Sequence, residues 1–377
     1  METIKVTNAW VYYSFLLVIL VFGLLFSKYE YAPVFSNGAY KRNKNVMIIS
    51  FILIGYITFW AAVRNGVADT STYIYGYETI NSNVNILEVF RGEDKAPLFT
   101  VYQIVLKRLG FDYHFYLASI AVISGVCIAY GIGAYTDDLF FSAFIFVAST
   151  NYTWMFNGIR QFLVVSIIFA STRLIVEKKL FKFLILVFIL YFIHNSCIIM
   201  IPIYFILNFK PWSGKITVCI LVTMAVVLFF PQLFIELLDL SMEGYNITEQ
   251  LKEDDGVNVL RVFVAAVPAI LAFNYKNEIK RYNDRYLNLW VNASVITVCL
   301  YAVGVISSGI FVGRLPIYTE IYNVLLLPFI LKRIIPQESK VLLYIACVGF
   351  YILFFYLMMK NAYYTTDLFA SMNLKGV

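Results

Sequence analysis

The chain has 377 residues, of which 61% are apolar and only 14% charged, with a net charge of +6. A mean hydropathy of +0.77 excludes a soluble domain of this length and excludes a protein held by one anchor. The surplus positive charge lies in short loops, where it orients a membrane protein rather than binding nucleic acid. The expected fold is all-α and polytopic, with residues 1–377 as a single transmembrane domain.

Trp10–Ser27 is followed by Lys28 and not by a small-residue cleavage site, so it reads as a retained span. Lys28, Lys41, Arg42 and Lys44 place the next loop in the cytoplasm. A second span covers Val46–Val63. The polar stretch Arg64–Ala96, with Asp69, Glu78, Glu88, Glu93 and Asp94, then lies outside. Pro97–Leu109 is apolar but short and ends on Lys107-Arg108, so it is expected as an interfacial helix on the outer side. Residues 64–113 are thus an outer loop carrying amphipathic helices. Spans follow at His114–Tyr135, Leu139–Phe156 and Ile159–Val176.

Leu180–Leu207 is almost entirely apolar, yet His194, Asn195 and Ser196 interrupt its middle. It exceeds one span of about 20 residues and falls short of two. Two helices meeting at His194 are expected, because non-helical backbone at membrane depth survives only inside protein or against a wet cavity. Beyond the Lys210–Lys215 turn come spans at Ile216–Leu238, Val259–Tyr275, Leu287–Phe311, Leu315–Leu331 and Val341–Met359, with an acidic outer loop at 239–258. The total is about 12 crossings, including broken or re-entrant segments, with both termini outside.

This topology brings Arg64, Asp69, Arg160, His194, Arg314 and Glu320 to the outer face from different spans, where they are expected to line one cavity. An ionisable group at such depth is a functional candidate, although a histidine bonded to a backbone carbonyl has the same sequence signature. Gly158 permits a tight turn before Ile159, and a helix N-terminus with Arg160 beside it suits phosphate. A snorkelling arginine is the structural alternative. For Asp69 three roles stay open: pairing with an arginine, acid/base work, or capping a helix near Thr70-Ser71-Thr72, which is the favoured one. Glu320, two residues after Tyr318, needs an arginine partner if it is merely structural. Five cysteines inside apolar runs and two histidines, His114 and His194, give no metal-ligand spacing, so neither metal nor cofactor is expected.

The ordered series Arg64…Asp69…Tyr73, Gly158-Ile159-Arg160-Gln161, His194-Asn195-Ser196 with Pro202 downstream, and Arg314…Tyr318…Pro328 resembles the EpsG family of Wzy-like membrane proteins. The family pattern has a glycine before the aspartate and a wider arginine-to-aspartate spacing; here Ala68 stands in that place. The resemblance implies a polymerase of O-antigen, capsule or exopolysaccharide on the outer face of the bacterial cytoplasmic membrane. Its donor is a growing glycan on undecaprenyl diphosphate and its acceptor a single lipid-linked repeat unit. A chain-length regulator and a flippase are its implied partners beyond the membrane lipids. In that reading Arg160, Arg314 and Arg64 take the diphosphate, helped by Gln161, Tyr73 and Tyr318. His194 is the base, with Asp69 and Glu320 as the other acid/base candidates, and no metal is required. The alternatives are a lipid-linked oligosaccharide flippase or secondary transporter, another lipid-linked glycosyltransferase or ligase, and a purely structural assembly subunit.

Overall fold

The apolar runs fold as helices, and the polar interruptions of the sequence are where those helices stop. A computed structural model describes residues 10–27, 35–36, 39–40, 44–92, 94–229, 257–306 and 312–367. Among them, four helices are long and apolar enough to cross a membrane: Lys44–Ala62, Tyr113–Tyr135, Arg285–Val305 and Gln337–Met359. Two bent pairs, Val259–Asn274 with Lys276–Tyr282 (75°) and Val312–Glu320 with Asn323–Ile334 (48°), raise this to six if each is one span. Shorter apolar helices stand at other expected spans, among them α1 (Trp10–Phe26), while the span expected at Ile216–Leu238 runs beyond the described residues. A two-residue antiparallel pair, Phe35–Ser36 with Ala39–Tyr40, and an isolated antiparallel bridge between Arg64 and Thr366 interrupt an otherwise helical architecture among the described residues.

The core pair is α2 (Lys44–Ala62) against α6 (Tyr113–Tyr135). Ser50 Oγ donates across it to the Ala129 carbonyl at 2.7 Å, a close crossing made possible by small side chains. Between them in sequence, α3 (Thr70–Thr79), α4 (Ile86–Arg91) and α5 (Pro97–Arg108) form a separate layer. Its basic end is fixed by carbonyls: Lys107 Nζ donates to Glu78 O at 2.6 Å and Ile80 O at 2.8 Å, and Arg108 Nε to Ser82 O at 2.6 Å. Cations suit the open carbonyls at a helix C-terminus. The other end of α5 docks where the long apolar run breaks, with the Leu98 N–H donating to Phe192 O at 3.0 Å.

That break falls where the polar trio predicts. Helix α7 (Leu139–Ala148) and α8 (Ile159–Ala170) precede it, with α9 (Thr172–Val176) ending the second of these spans. Then α10 (Leu180–Tyr191) stops, His194 is extended (φ −153°, ψ 112°), a 3-10 turn covers Asn195–Ile199, and α11 (Met200–Leu207) resumes.

Besides Ile159–Val176, which is interrupted at Ser171, two expected spans are not continuous helices. Leu139–Phe156 is α7 followed by a 3-10 turn at Asn151–Met155, because Thr150 turns left-handed (φ 65°) and its carbonyl takes the Thr153 N–H at 3.0 Å. Leu315–Leu331 is split into α16 (Ile317–Glu320) and α17 (Asn323–Phe329), ending in a π turn at Ile330–Ile334. Pro328 inside that segment has no N–H to give to the ladder, which favours such irregularity. Before them come α12 (Gly214–Phe229), α13 (Val259–Asn274), α14 (Lys276–Tyr282) and α15 (Arg285–Ile306). Finally, α18 is Gln337–Met359. Residues 230–256, which hold most of the acidic loop expected at 239–258, lie outside the described residues, as does much of the 28–45 loop.

At the end of the bundle away from His194, Arg333 grips Asp137 bidentately (Nε to Oδ2 2.6 Å, Nη2 to Oδ1 3.1 Å), and Tyr344 OH donates to Asp138 Oδ2 at 3.0 Å. At the His194 end, the polar tail after α18 folds back on the loop that follows α2. Tyr364 OH donates to Trp60 O at 2.7 Å, Thr366 Oγ1 to Val63 O at 2.6 Å, and the Asn65 N–H to Thr365 O at 3.1 Å. No chemistry is legible in this tail from sequence; its backbone and hydroxyls fix the segment from which Arg64 and Asp69 project.

Candidate functional site

The loop 64–69 is held from below by Arg64, which is 1% exposed. Its Nε donates to Thr70 Oγ1 at 2.9 Å, its Nη1 to the Ala61 carbonyl, and its guanidinium lies 5.8 Å from the Phe156 ring centre. Asp69 sits at the N-terminus of α3 but does not cap it, contrary to the favoured expectation. Its Oδ2 reaches across the fold and accepts the Gly158 N–H at 2.9 Å. Gly158 is left-handed (φ 66°), a conformation that costs glycine nothing, and this aims its N–H at Asp69 just before α8 begins. Burial pushes the Asp69 carboxyl above the usual range, while the Gly158 N–H and then Arg64 and Arg314 pull it back down. Arg64 Nη2 and Asp69 Oδ1 are buried without a hydrogen-bond partner among the described residues. Tyr73, one turn into α3, is pushed up to about 12 by burial and takes a backbone hydrogen bond from Arg160.

His194 lies in the break before the 3-10 turn. Its Nδ1 is 2.8 Å from Ser196 Oγ, and the same hydroxyl is 2.9 Å from Tyr318 OH. Gln161 Nε2 donates to Ser196 Oγ and to the Arg314 carbonyl, each at 3.3 Å. The imidazole also feels the charges of Arg160 and Arg314. Arg160 itself rests 5.6 Å from the Phe99 ring centre on α5, a cation–π distance. Thus the helix-opening Arg160-Gln161, the broken span and the Arg314–Tyr318 segment are joined by hydrogen bonds and charge into one group. Nδ1 is the ring nitrogen that ties His194 to this group through Ser196.

Glu320 is held in another way. Its Oε2 accepts Tyr301 OH at 2.6 Å, and Arg261 stands beside both, hydrogen-bonded to Tyr301. Arg261 is missing from the sequence-derived candidates. It lies inside the span Val259–Asn274, and a charged residue within an apolar helix is the signal that identifies it. His114 stays at the surface between Asp112 (3.2 Å) and Asp367 (3.6 Å).

A cavity of about 540 Å³ opens beside this group. Arg314, Arg261, Asn157, Asn258, Asn361 and Trp154 are among its lining residues. The volume is typical of small-molecule sites. His194, Arg160, Asp69 and Arg64 are not among the lining residues, so Arg314 is the side chain that touches both the cavity and the imidazole's electrostatic surroundings.

The family model of the EpsG family matches residues 47–371. The chain belongs to the EpsG family. This is the family of Wzy-like polysaccharide polymerases, and membership gives the chain a polysaccharide polymerase-like role, with glycosyltransferase-like chemistry, in a membrane. Such a polymerase acts on lipid-linked oligosaccharides. No curated protein matches the chain, and no solved structure does.

Within this EpsG protein, the departure at Ala68 has a physical meaning. Ala68 is left-handed (φ 49°), the region where a Cβ costs roughly 1–2 kcal/mol and a glycine costs nothing sterically. Ala68→Gly is therefore expected to stabilise the protein by about 0.5–1 kcal/mol once the extra chain entropy of glycine is set against that relief. Thermal unfolding in detergent checks this: a higher midpoint is expected, and a lower one would show that the Ala68 methyl contributes more through packing than it costs in strain.

Proposed function

We propose that the chain is a Wzy-type polymerase that joins undecaprenyl-diphosphate-linked repeat units on the outer face of the bacterial cytoplasmic membrane. The observation that carries this reading is the hydrogen-bonded group His194–Ser196–Tyr318–Gln161, tied to Arg314, which itself lines the cavity. The acceptor hydroxyl attacks the anomeric carbon of the donor glycan as His194 Nε2 takes its proton. The bond from that carbon to the diphosphate oxygen breaks, and the electron pair leaves on the lipid diphosphate. Diphosphate is already a good leaving group, so the Arg314 guanidinium on the cavity wall neutralises its charge without a metal, and Arg160 adds to the positive field around His194. Direct attack inverts the anomeric carbon. Asp69 positions the Gly158 turn, and through it Arg160; Glu320 serves Arg261 rather than the acceptor. The layer α3–α5, seated on the Phe192 carbonyl, excludes water that would otherwise hydrolyse the donor.

Charge distribution supports the outward orientation. Lys332, Arg333 and Lys340 cluster at the end away from His194, as the positive-inside rule asks of the cytoplasmic face. About 12 crossings, counting the shorter apolar helices, and both termini outside complete this topology.

A deletion strain tests the function. Loss of long chains with retention of single-repeat lipid-linked units is expected. Loss of all surface glycan with units trapped inside the cell would select a flippase instead, and unchanged chain length would sink both readings.

A further inference from the structure

The polymerase reading leaves one charged side chain of the cavity without a task. Arg261 and Arg314 both line it, with the carboxamides of Asn157, Asn258 and Asn361, and no aspartate or glutamate is among the described lining residues. The Asn258 side-chain oxygen is occupied, accepting the Leu260 N–H at 2.9 Å, so its amide NH₂ is the end left to donate. Two guanidinium groups and amide donors on a wall that carries no carboxylate make an anion seat, with Asp69 and Glu320 near the arginines but not on that wall.

The two arginines reach it from one corner of the fold. The Val257 N–H donates to Gly304 O at 3.3 Å. A Cβ on Gly304 would stand 2.7 Å from Val257 Cγ2 and 3.3 Å from the Gly313 Cα. Only a glycine on α15 lets the segment before Arg261 and the turn before Arg314 pack on the same spot. Behind Arg261, Glu320 and Tyr301 are fully buried and are not lining residues. An arginine within an apolar span needs a counter-charge in the absence of ligand, and Glu320 supplies it while Tyr301 OH occupies Oε2.

Resting on the polymerase reading, we infer that Arg261 is a second diphosphate-binding residue beside Arg314, aimed by Glu320 and Tyr301, and that the polyprenyl diphosphate group of the donor occupies this cavity. The rival account is that Arg261 and Glu320 merely neutralise each other inside the bundle.

The test is binding of undecaprenyl diphosphate to the purified full chain in lipid nanodiscs, with undecaprenol as the uncharged control. Arg261→Gln strands a buried carboxylate, so the double variant Arg261→Gln/Glu320→Gln, which removes both charges, is measured beside it. Both are expected to bind undecaprenyl diphosphate about tenfold or more weakly than the unaltered chain, the usual loss for a charged hydrogen-bonding partner. A double variant that unfolds at the usual temperature and binds with full affinity overturns the role of Arg261 and leaves the polymerase reading standing. An unaltered chain that binds undecaprenyl diphosphate no better than undecaprenol overturns both.

Discussion

Replacing His194 by alanine is expected to stop chain growth, lowering the polymerisation rate by about 10²–10⁴-fold, the range for a lost general base. The argument is geometric. The imidazole sits on extended backbone between two helices, where no intrahelical hydrogen bond depends on it. Its Nδ1 contact to Ser196 fixes the ring, and Ser196 keeps Tyr318 and Gln161 as partners after the ring is removed. The variant should therefore accumulate in the membrane at the ordinary level, which an immunoblot checks, while gel analysis of the glycan shows only short products. Normal chain lengths in this variant would remove His194 from the chemistry and leave it as a half-buried structural histidine.

Arg314→Ala is expected to cost about 10²–10³-fold in rate, comparable with losing one donor that stabilises charge in a transition state. The Gln161 contact goes to the Arg314 backbone carbonyl, so the side chain can be removed without cutting that link. Neutralising the departing diphosphate is the function lost. Arg314→Lys should be nearly as damaging, because an ammonium cannot reproduce the two-pronged contact of a guanidinium with phosphate oxygens. Steady-state kinetics with a lipid-linked oligosaccharide separate the cases: a fall in kcat/KM for both variants is expected, and full activity in the lysine variant would reduce Arg314 to a general positive charge.

How much of this was legible in the sequence depends on the kind of signal. Apolar length located the helices, and the polar trio His194-Asn195-Ser196 located the break, because unsatisfied backbone is too costly in lipid to occur by accident. The Gly158-Ile159-Arg160-Gln161 turn was readable for the same local reason. The destination of the Asp69 carboxylate was not, since a helix N-terminus and a distant glycine N–H satisfy it equally well and only the tertiary fold chooses Gly158. Runs that looked continuous are broken at Thr150 and at Ile321–Tyr322, because hydropathy measures lipid compatibility and not backbone conformation. Arg261 escaped notice within an apolar span. Its partners, Tyr301 and Glu320, lie 40 and 59 positions later and signal nothing locally. The C-terminal residues Tyr364 and Thr366 were equally silent, because backbone acceptors at Trp60 and Val63 are invisible in a sequence.

The most direct measurement of the central claim is the reaction of the purified chain with a synthetic undecaprenyl-diphosphate-linked repeat unit. A ladder of products spaced by one repeat unit is predicted, with one undecaprenyl diphosphate released for each bond made. Recovery of the substrate unchanged under conditions where the protein is folded and binds it, or growth by single sugars, would contradict the account.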